Sequence, residues 1–143
     1  MIVTFFGHKD APVEKIEEKL YHCLAELIDR DGADRFYVGN QGAFDAMVIR
    51  VLRNLKSRYP TIKYEIVLPY FPSPENKKGF DADMTIYPDG METVPRRFAI
   101  DRRNHWMIER SDVVVTYVVR SFGVSAKFTE IAQRKKKKII ELS

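Results

Sequence analysis

Cysteine is nearly absent. Cys23 stands alone in 143 residues, so no disulfide framework holds this chain together. The three histidines, His8, His22 and His105, are scattered without zinc-ligand spacing, and no metal site is expected. Long apolar runs are missing too: nothing approaches the ~18–20 apolar residues that span a bilayer, so no membrane partner is expected. The opening residues, Met1 to Phe6, lack a basic leader and a small-residue cleavage site; they read as a first strand, not a signal peptide. A reducing cytoplasm is the expected setting. Neither G-x-G-x-x-G nor G-x-x-x-x-G-K-[ST] occurs, which disfavours a generic dehydrogenase and a P-loop NTPase. Nothing in the pattern requires a cofactor.

What is present is an ordinary soluble composition, 45% hydrophobic and 31% charged. The length suits one domain over residues 1–143 with one real core. Net charge is only +4, and much of the excess is the run from Arg134 to Lys138. That run closes an expected helix, where cations complement the helix dipole. A nucleic-acid patch is the lesser reading of it.

Periodicity sets out the elements. Ile2 to Phe6 is a continuous apolar run, the signature of a strand covered on both faces. From Val13 to Arg30 the residues Ile16, Leu20, Cys23, Leu24, Leu27 and Ile28 recur at three- and four-residue steps, one helix face that ends at Gly32. Arg35 to Val38 is a second strand, Phe44 to Arg58 a second helix stopped by Pro60, and Lys63 to Leu68 a third strand. Pro69 to Val94, with Pro72, Pro74, Pro88, Gly79 and Gly90, is loop around a short strand at Met84 to Tyr87. A helix from Pro95 to Arg110, a strand from Val113 to Val118, a helix from Ser125 to Arg134 and a strand from Lys138 to Leu142 follow. Such alternation predicts an α/β, Rossmann-like three-layer sandwich, a mostly parallel sheet with helices on both faces.

In that fold every strand-to-helix loop falls at one edge of the sheet. Three loops meet there: Gly7 to Pro12, including His8; Gly39 to Asp45, including Gly42; and Ser121 to Lys127, including Gly123 and Ser125. Small residues let backbone N–H groups approach a ligand, and a helix N-terminus favours an anion, so phosphate is the natural candidate. The segment "PRRFAIDRRNHWMIERSD" adds Arg96, Arg97, Arg102 and Arg103. As one helix it would put Arg96 beside Arg103, and Arg97 beside Asp101. The arginines read either as a solvated basic face or as guanidinium forks for phosphate. Trp106, the single tryptophan, reads as core, with base stacking as the alternative.

The stretches "IVTFFGHKD", "FYVGNQGAFD", "VLPY", "VPRRFAIDRRNHWM" and "SDVVVTYV", followed by a Gly–Lys–Glu loop and helix, resemble the SLOG superfamily, the Rossmann-like domains of Smf/DprA and lonely-guy (LOG) proteins. The likeness is greatest to short bacterial and phage SLOG proteins and covers nearly the whole chain. LOG enzymes carry an Arg nine residues ahead of an Asp, then P-G-G-x-G-T-x-x-E. Arg103 stands nine residues before Asp112, and Phe122 to Glu130 has the length of the second motif. The resemblance implies Arg103 and Glu130 as catalytic counterparts facing one cleft, for release of a base from a nucleoside monophosphate. Phe122, Val124, Ala126 and Lys127 depart from the motif, altering its phosphate cradle. Lys127 then stands as a phosphate ligand or as a partner of Glu130.

The expectation is a domain that binds a phosphorylated nucleotide or an NAD- or ADP-ribose-derived molecule, as sensor or accessory protein. Gly7, His8, Gly39, Gly42 and Asp45 would line one side of the site, and Arg97, Arg103, Asn104, Gly123, Ser125, Lys127 and Glu130 the other. A LOG-like phosphoribohydrolase is the first alternative, and a DprA-like single-stranded DNA-binding protein, resting mainly on the lysine run, the second. Self-association into a homo-oligomer is left open.

Overall fold

Side chains alternate across a strand, so a strand buried on both faces is apolar at every position. In β1 (Ile2–Gly7) Val3 and Phe5 enter one buried cluster, while Phe6 enters a second on the opposite face. β2 (Arg35–Val38) divides Phe36 and Val38 from Tyr37 in the same way. β5 (Val113–Tyr117) divides Val113 and Val115 from Val114. With β3 (Lys63–Val67), β4 (Thr85–Ile86) and β6 (Lys138–Glu141) they form one six-stranded sheet, ordered β4-β3-β2-β1-β5-β6. Every pairing is parallel. These elements come from a computed structural model that describes residues 1–71 and 84–143. Pro72, Pro74 and Gly79 of the expected long loop lie outside the described residues.

Helices cover both faces. α1 (Val13–Asp31) and α2 (Gly42–Arg58) bury Leu20, Leu24, Met47 and Leu52 in the first cluster. α3 (Ala99–Arg110) and α4 (Val124–Arg134) bury Met107, Ile108, Phe128 and Ala132 in the second. The architecture is α/β and Rossmann-like. Among the described residues no helix is long and apolar enough to cross a membrane.

Two expectations about local structure need correction. The helix after Pro95 is not regular from its start: Arg96–Phe98 form a 3-10 turn, and the α-helix begins at Ala99. A 3-10 turn has about three residues per turn, so it shifts the phase of the face. Arg96 therefore stacks over Tyr70, 4.1 Å from the ring centre, instead of sitting beside Arg103. Asp101 is engaged by Lys127 at 2.6 Å and by His105 at 3.4 Å, and Arg97 lies over the Phe98 ring at 4.8 Å. Trp106 is half-buried, packed edge-on to Tyr37 with Arg110 over its face.

Asp112 belongs to the opposite edge from the strand-to-helix loops. Its carboxylate accepts the Ile2 N–H at 2.8 Å, and its own N–H donates to the Ile2 carbonyl, which pins the start of β5 to the start of β1. The lysine run lies at that same edge, between α4 and β6, and includes Lys136 at φ +60°.

Candidate functional site

The order of connections reverses between β1 and its neighbour β5, and in open parallel sheets such a switch point leaves a crevice beyond the strand ends. A cavity of ≈ 130 Å³ occupies that position. Its wall combines the end of β1 (Phe5, Phe6, Gly7), the loop after β2 (Gly39, Gln41), Asp45 of α2, Ile100, Arg103, Asn104 and Met107 of α3, and Val124 and Ser125 of α4. Of the residues singled out from sequence, Gly7, Gly39, Asp45, Arg103, Asn104 and Ser125 meet here.

Arg103 is the largest fully buried side chain described. α3 places it against the sheet, where Nε donates to Asn104 Oδ1 at 2.8 Å. Nη1 donates to the Val67 carbonyl at 2.8 Å and to Asn40 Oδ1 at 3.1 Å. One side chain thus ties the ends of β2 and β3 to α3. Burial pushes its affinity for the proton down, opposed by Asp45 and Tyr70. A guanidinium nevertheless stays charged in proteins.

Asp45 stands in the first turn of α2, and its Oδ2 accepts the Gln41 N–H at 2.9 Å. Asp45 lines the cavity and is half-buried. Burial raises its pKa to about 6, offset in part by the Gln41 N–H, Arg103 and Lys9. Burial disfavours the charged form, and this cause outweighs the two cations.

Each glycine here has its own reason. A Cβ on Gly39 would lie 2.8 Å from Asp45 Oδ2 and 3.2 Å from the Arg103 guanidinium, so Gly39 keeps the space between them clear. Gly42 starts α2 at φ +85°, a conformation that L side chains rarely adopt, and it faces Lys9. Gly7 makes room for packing rather than for a ligand: a Cβ there would sit 2.4 Å from the buried Phe44 ring. Gly7→Ala is therefore expected to destabilise the fold by about 1–3 kcal/mol through overpacking. A urea unfolding midpoint equal to wild type would show that the ring moves freely.

His8 lies beside the cavity, buried, and its Nε2 accepts the Val119 N–H at 3.0 Å. Burial and then Arg120 lower its pKa, in keeping with this acceptor role. Arg120 grips Asp10 through two hydrogen bonds of 3.2 and 3.0 Å, so the loops after β1 and β5 are tied together twice. Gly123 immediately precedes α4 at φ +99°.

Six residues of the expected set do not line the cavity: His8, Gly42 and Gly123 stand in the loops beside it, and Arg97, Lys127 and Glu130 lie farther out. Arg97 is exposed on the 3-10 turn. Lys127 is exposed and bonded to Asp101, so it is neither a cavity residue nor a partner of Glu130. Glu130 is exposed and pairs with Arg134 at 2.5 Å. The expected shared cleft of Arg103 and Glu130 is therefore not formed. The reason is helix phase. Ser125, Phe128, Thr129 and Ala132 form the buried stripe of α4, and Glu130 follows Thr129 by the ~100° that one residue turns.

Sequence reasoning did not single out Lys9, Asn40 or Gln41. All three lie within the loops it recognised, but nothing in their spacing connects Asn40 to an arginine 63 positions away.

A model of the YspA SLOG family matches residues 2–141. The chain belongs to that family. Among solved structures, this SLOG chain is similar to DNA processing protein A from Helicobacter pylori, a structure described for its single-stranded DNA binding mode. The TM-score is 0.64 at 18% identity, over 99% of this chain and 64% of that one. This chain therefore spans less than two thirds of its neighbour, and at that identity the likeness speaks to the fold. A search of curated protein sequences found no match.

Proposed function

We propose that this SLOG domain binds a phosphorylated nucleotide or an NAD- or ADP-ribose-derived molecule at the C-terminal edge of its sheet, as a sensor or accessory protein. The observation that carries this reading is the cavity at the switch point, where a buried arginine with an unused donor meets the starts of α2 and α4. Sites for whole small ligands typically enclose ~300–1,000 Å³, so this cavity takes one ring of such a ligand and leaves the remainder in its mouth. The mouth suits a base. Among the described residues the exposed large hydrophobics are Phe71, Phe98, Val119, Phe122 and Val124, and all five lie in loops or a helix start at this edge. The outward position of Glu130 supports binding over base release.

Calorimetric titration with AMP, ADP-ribose and NAD tests the proposal. At least one is expected to bind, and Gly39→Val, which fills the space between Asp45 and Arg103, is expected to weaken it by about tenfold or more, over 1.4 kcal/mol. No heat from any nucleotide in a broad panel would refute it.

Single-stranded nucleic acid is the second reading, favoured by the Phe–Arg contacts of this rim. Arg97 lies over Phe98, and Arg120 lies 5.8 Å from the Phe122 ring centre. Aromatic side chains interleaved with cations stack successive bases without regard to sequence. The structural neighbour's single-stranded DNA binding supports the same reading. The lysine run does not, since it lies at the opposite edge of the sheet. Salt-sensitive binding of a labelled oligonucleotide, lost in Phe98→Ala and Phe122→Ala but retained in a Gln-substituted lysine run, would favour the second reading over the first.

A further inference from the structure

Arg103 and Asp45 are opposite charges in one cavity wall that do not pair. Arg103 is only 2% exposed, and its Nε and Nη1 are engaged by neutral acceptors. Its Nη2 has no acceptor among the described residues. Asp45 Oδ2 takes the Gln41 N–H, and Oδ1 has no donor among the described residues. Asp45 Oδ2 and the Arg103 Cζ and Nη1 border the same point beside Gly39, 2.8 and 3.2 Å from where a Cβ would stand. Asn104, Asn40 and Val67 hold the guanidinium back from one side, and Gln41 holds the carboxylate from the other. Each group thus presents to the cavity an atom that the described residues leave unused, and a ligand seated there can supply the contact.

The chemistry of that ligand group follows from the two charges. A phosphate would satisfy Arg103 but set its own charge against Asp45. An ammonium would satisfy Asp45 but face Arg103. A hydroxyl both donates and accepts, and two adjacent hydroxyls serve both ends of the gap without bringing charge. Phe5, Phe6, Ile100 and Met107 provide apolar wall for the carbon face of such a group. In a nucleotide, the 2′,3′ edge of ribose is flanked by the base on one side and the 5′-phosphate on the other. Inserting that edge leaves the base to the aromatic rim and the phosphate to Lys9 and the helix starts.

We infer that the gap between Asp45 and Arg103 receives the vicinal diol of a ribose, so that this site selects ribonucleotides against 2′-deoxyribonucleotides. The inference rests on the nucleotide reading above. It gives Arg103 a role other than the catalytic one that the LOG resemblance implies: here it donates to a sugar hydroxyl.

The test compares AMP with dAMP and ADP-ribose with its 2′-deoxy form, by calorimetry on wild type and on Asp45→Asn. Wild type is expected to bind each ribose form on the order of tenfold or more tightly, because the deoxy form leaves a charged group unpaired. Asp45→Asn is expected to shrink that preference to within about threefold while remaining folded by circular dichroism. Equal affinity for the two sugars in wild type overturns the inference yet leaves nucleotide binding standing. An undiminished preference in Asp45→Asn overturns it too. If no nucleotide binds, ribose 5-phosphate and 2-deoxyribose 5-phosphate at millimolar concentration decide the matter by NMR. Shifts at Gly39 and Asp45 with the ribose form alone would uphold the diol site without the nucleotide reading. No shift with either would overturn both.

Discussion

Arg103→Met is expected to lower the free energy of unfolding by roughly 3–5 kcal/mol, the range seen when one partner of a buried charged network is removed. The reason lies in what the side chain leaves behind. Methionine matches the length of the stem but donates nothing. The Val67 carbonyl, Asn40 Oδ1 and Asn104 Oδ1 each lose a donor in a buried setting. Each such loss costs about 1–3 kcal/mol when no water takes its place. Asp45 also loses one of the two cations that offset its burial. Arg103→Lys restores the charge but not the planar fork, so it is expected to recover less than half of the loss. Urea unfolding of the ligand-free protein measures both variants. A Met variant within about 1 kcal/mol of wild type would mean that Arg103 does not anchor the three segments it touches.

Asp45→Asn is expected to act in the opposite direction and to stabilise the ligand-free protein by roughly 3 kcal/mol near neutral pH. The sign follows from the pKa. The Asp45 carboxyl titrates at about 6 in the fold against a reference value of 3.8. Below 3.8 both folded and unfolded chains hold the proton, and the substitution changes little. Between 3.8 and 6 the unfolded chain has lost its proton while the fold retains it, so folding is progressively disfavoured as pH rises. Above 6 the full penalty applies. The groups facing the carboxylate are the Gln41 N–H, Arg103 and Lys9, and their combined help is already contained in that value. Asparagine keeps the shape and an oxygen for Gln41 without needing to bury a charge. Unfolding midpoints of wild type and Asp45→Asn should therefore converge near pH 4 and separate steadily up to neutrality. A constant difference across that range, or a destabilised variant at neutral pH, would exclude a charged, desolvated Asp45.

These two expectations pull apart a pair of cavity residues that look alike in the chain. Arg103 is expected to anchor the fold, whereas Asp45 is expected to burden it. Their substitutions should therefore shift stability in opposite directions even though both are expected to weaken binding.

Much of the fold was legible in the chain because burial leaves a periodic mark. The apolar run of Val113 to Val115 reports a strand covered twice, and the three- and four-residue steps from Ile16 to Leu27 report one helix face. Gly39, Gly42 and the small residues around Ser125 marked the loops that meet at one edge. Their convergence follows from the parallel order, which the alternation of strand and helix already implies. Asp45 and Ser125 were found on that ground, Arg103 and Asn104 from the arginine-rich segment that resembles LOG enzymes, and the structure gathers all four around one cavity.

Other matters depend on angles and distances that no local pattern carries. The direction of Glu130 is set by the residue at which α4 begins, since each residue of helix turns the side chains by about 100°. A start placed elsewhere would have brought a different residue to the cavity, and the spacing of the motif is the same either way. Lys127 was drawn to Asp101 on a neighbouring helix, a partner 26 positions distant. The 3-10 turn at Arg96–Phe98 depends on the balance of two closely similar helices, and it separates arginines that an ideal helix would align. Gly7 had the look of a ligand-loop glycine until the Phe44 ring appeared against it. Local periodicity thus determined which segments are strands and helices, and at which edge the loops gather. The gap between Asp45 and Arg103 exists only in three dimensions, because it is made by neutral groups from the loop after β2, from β3 and from α3 holding two opposite charges apart.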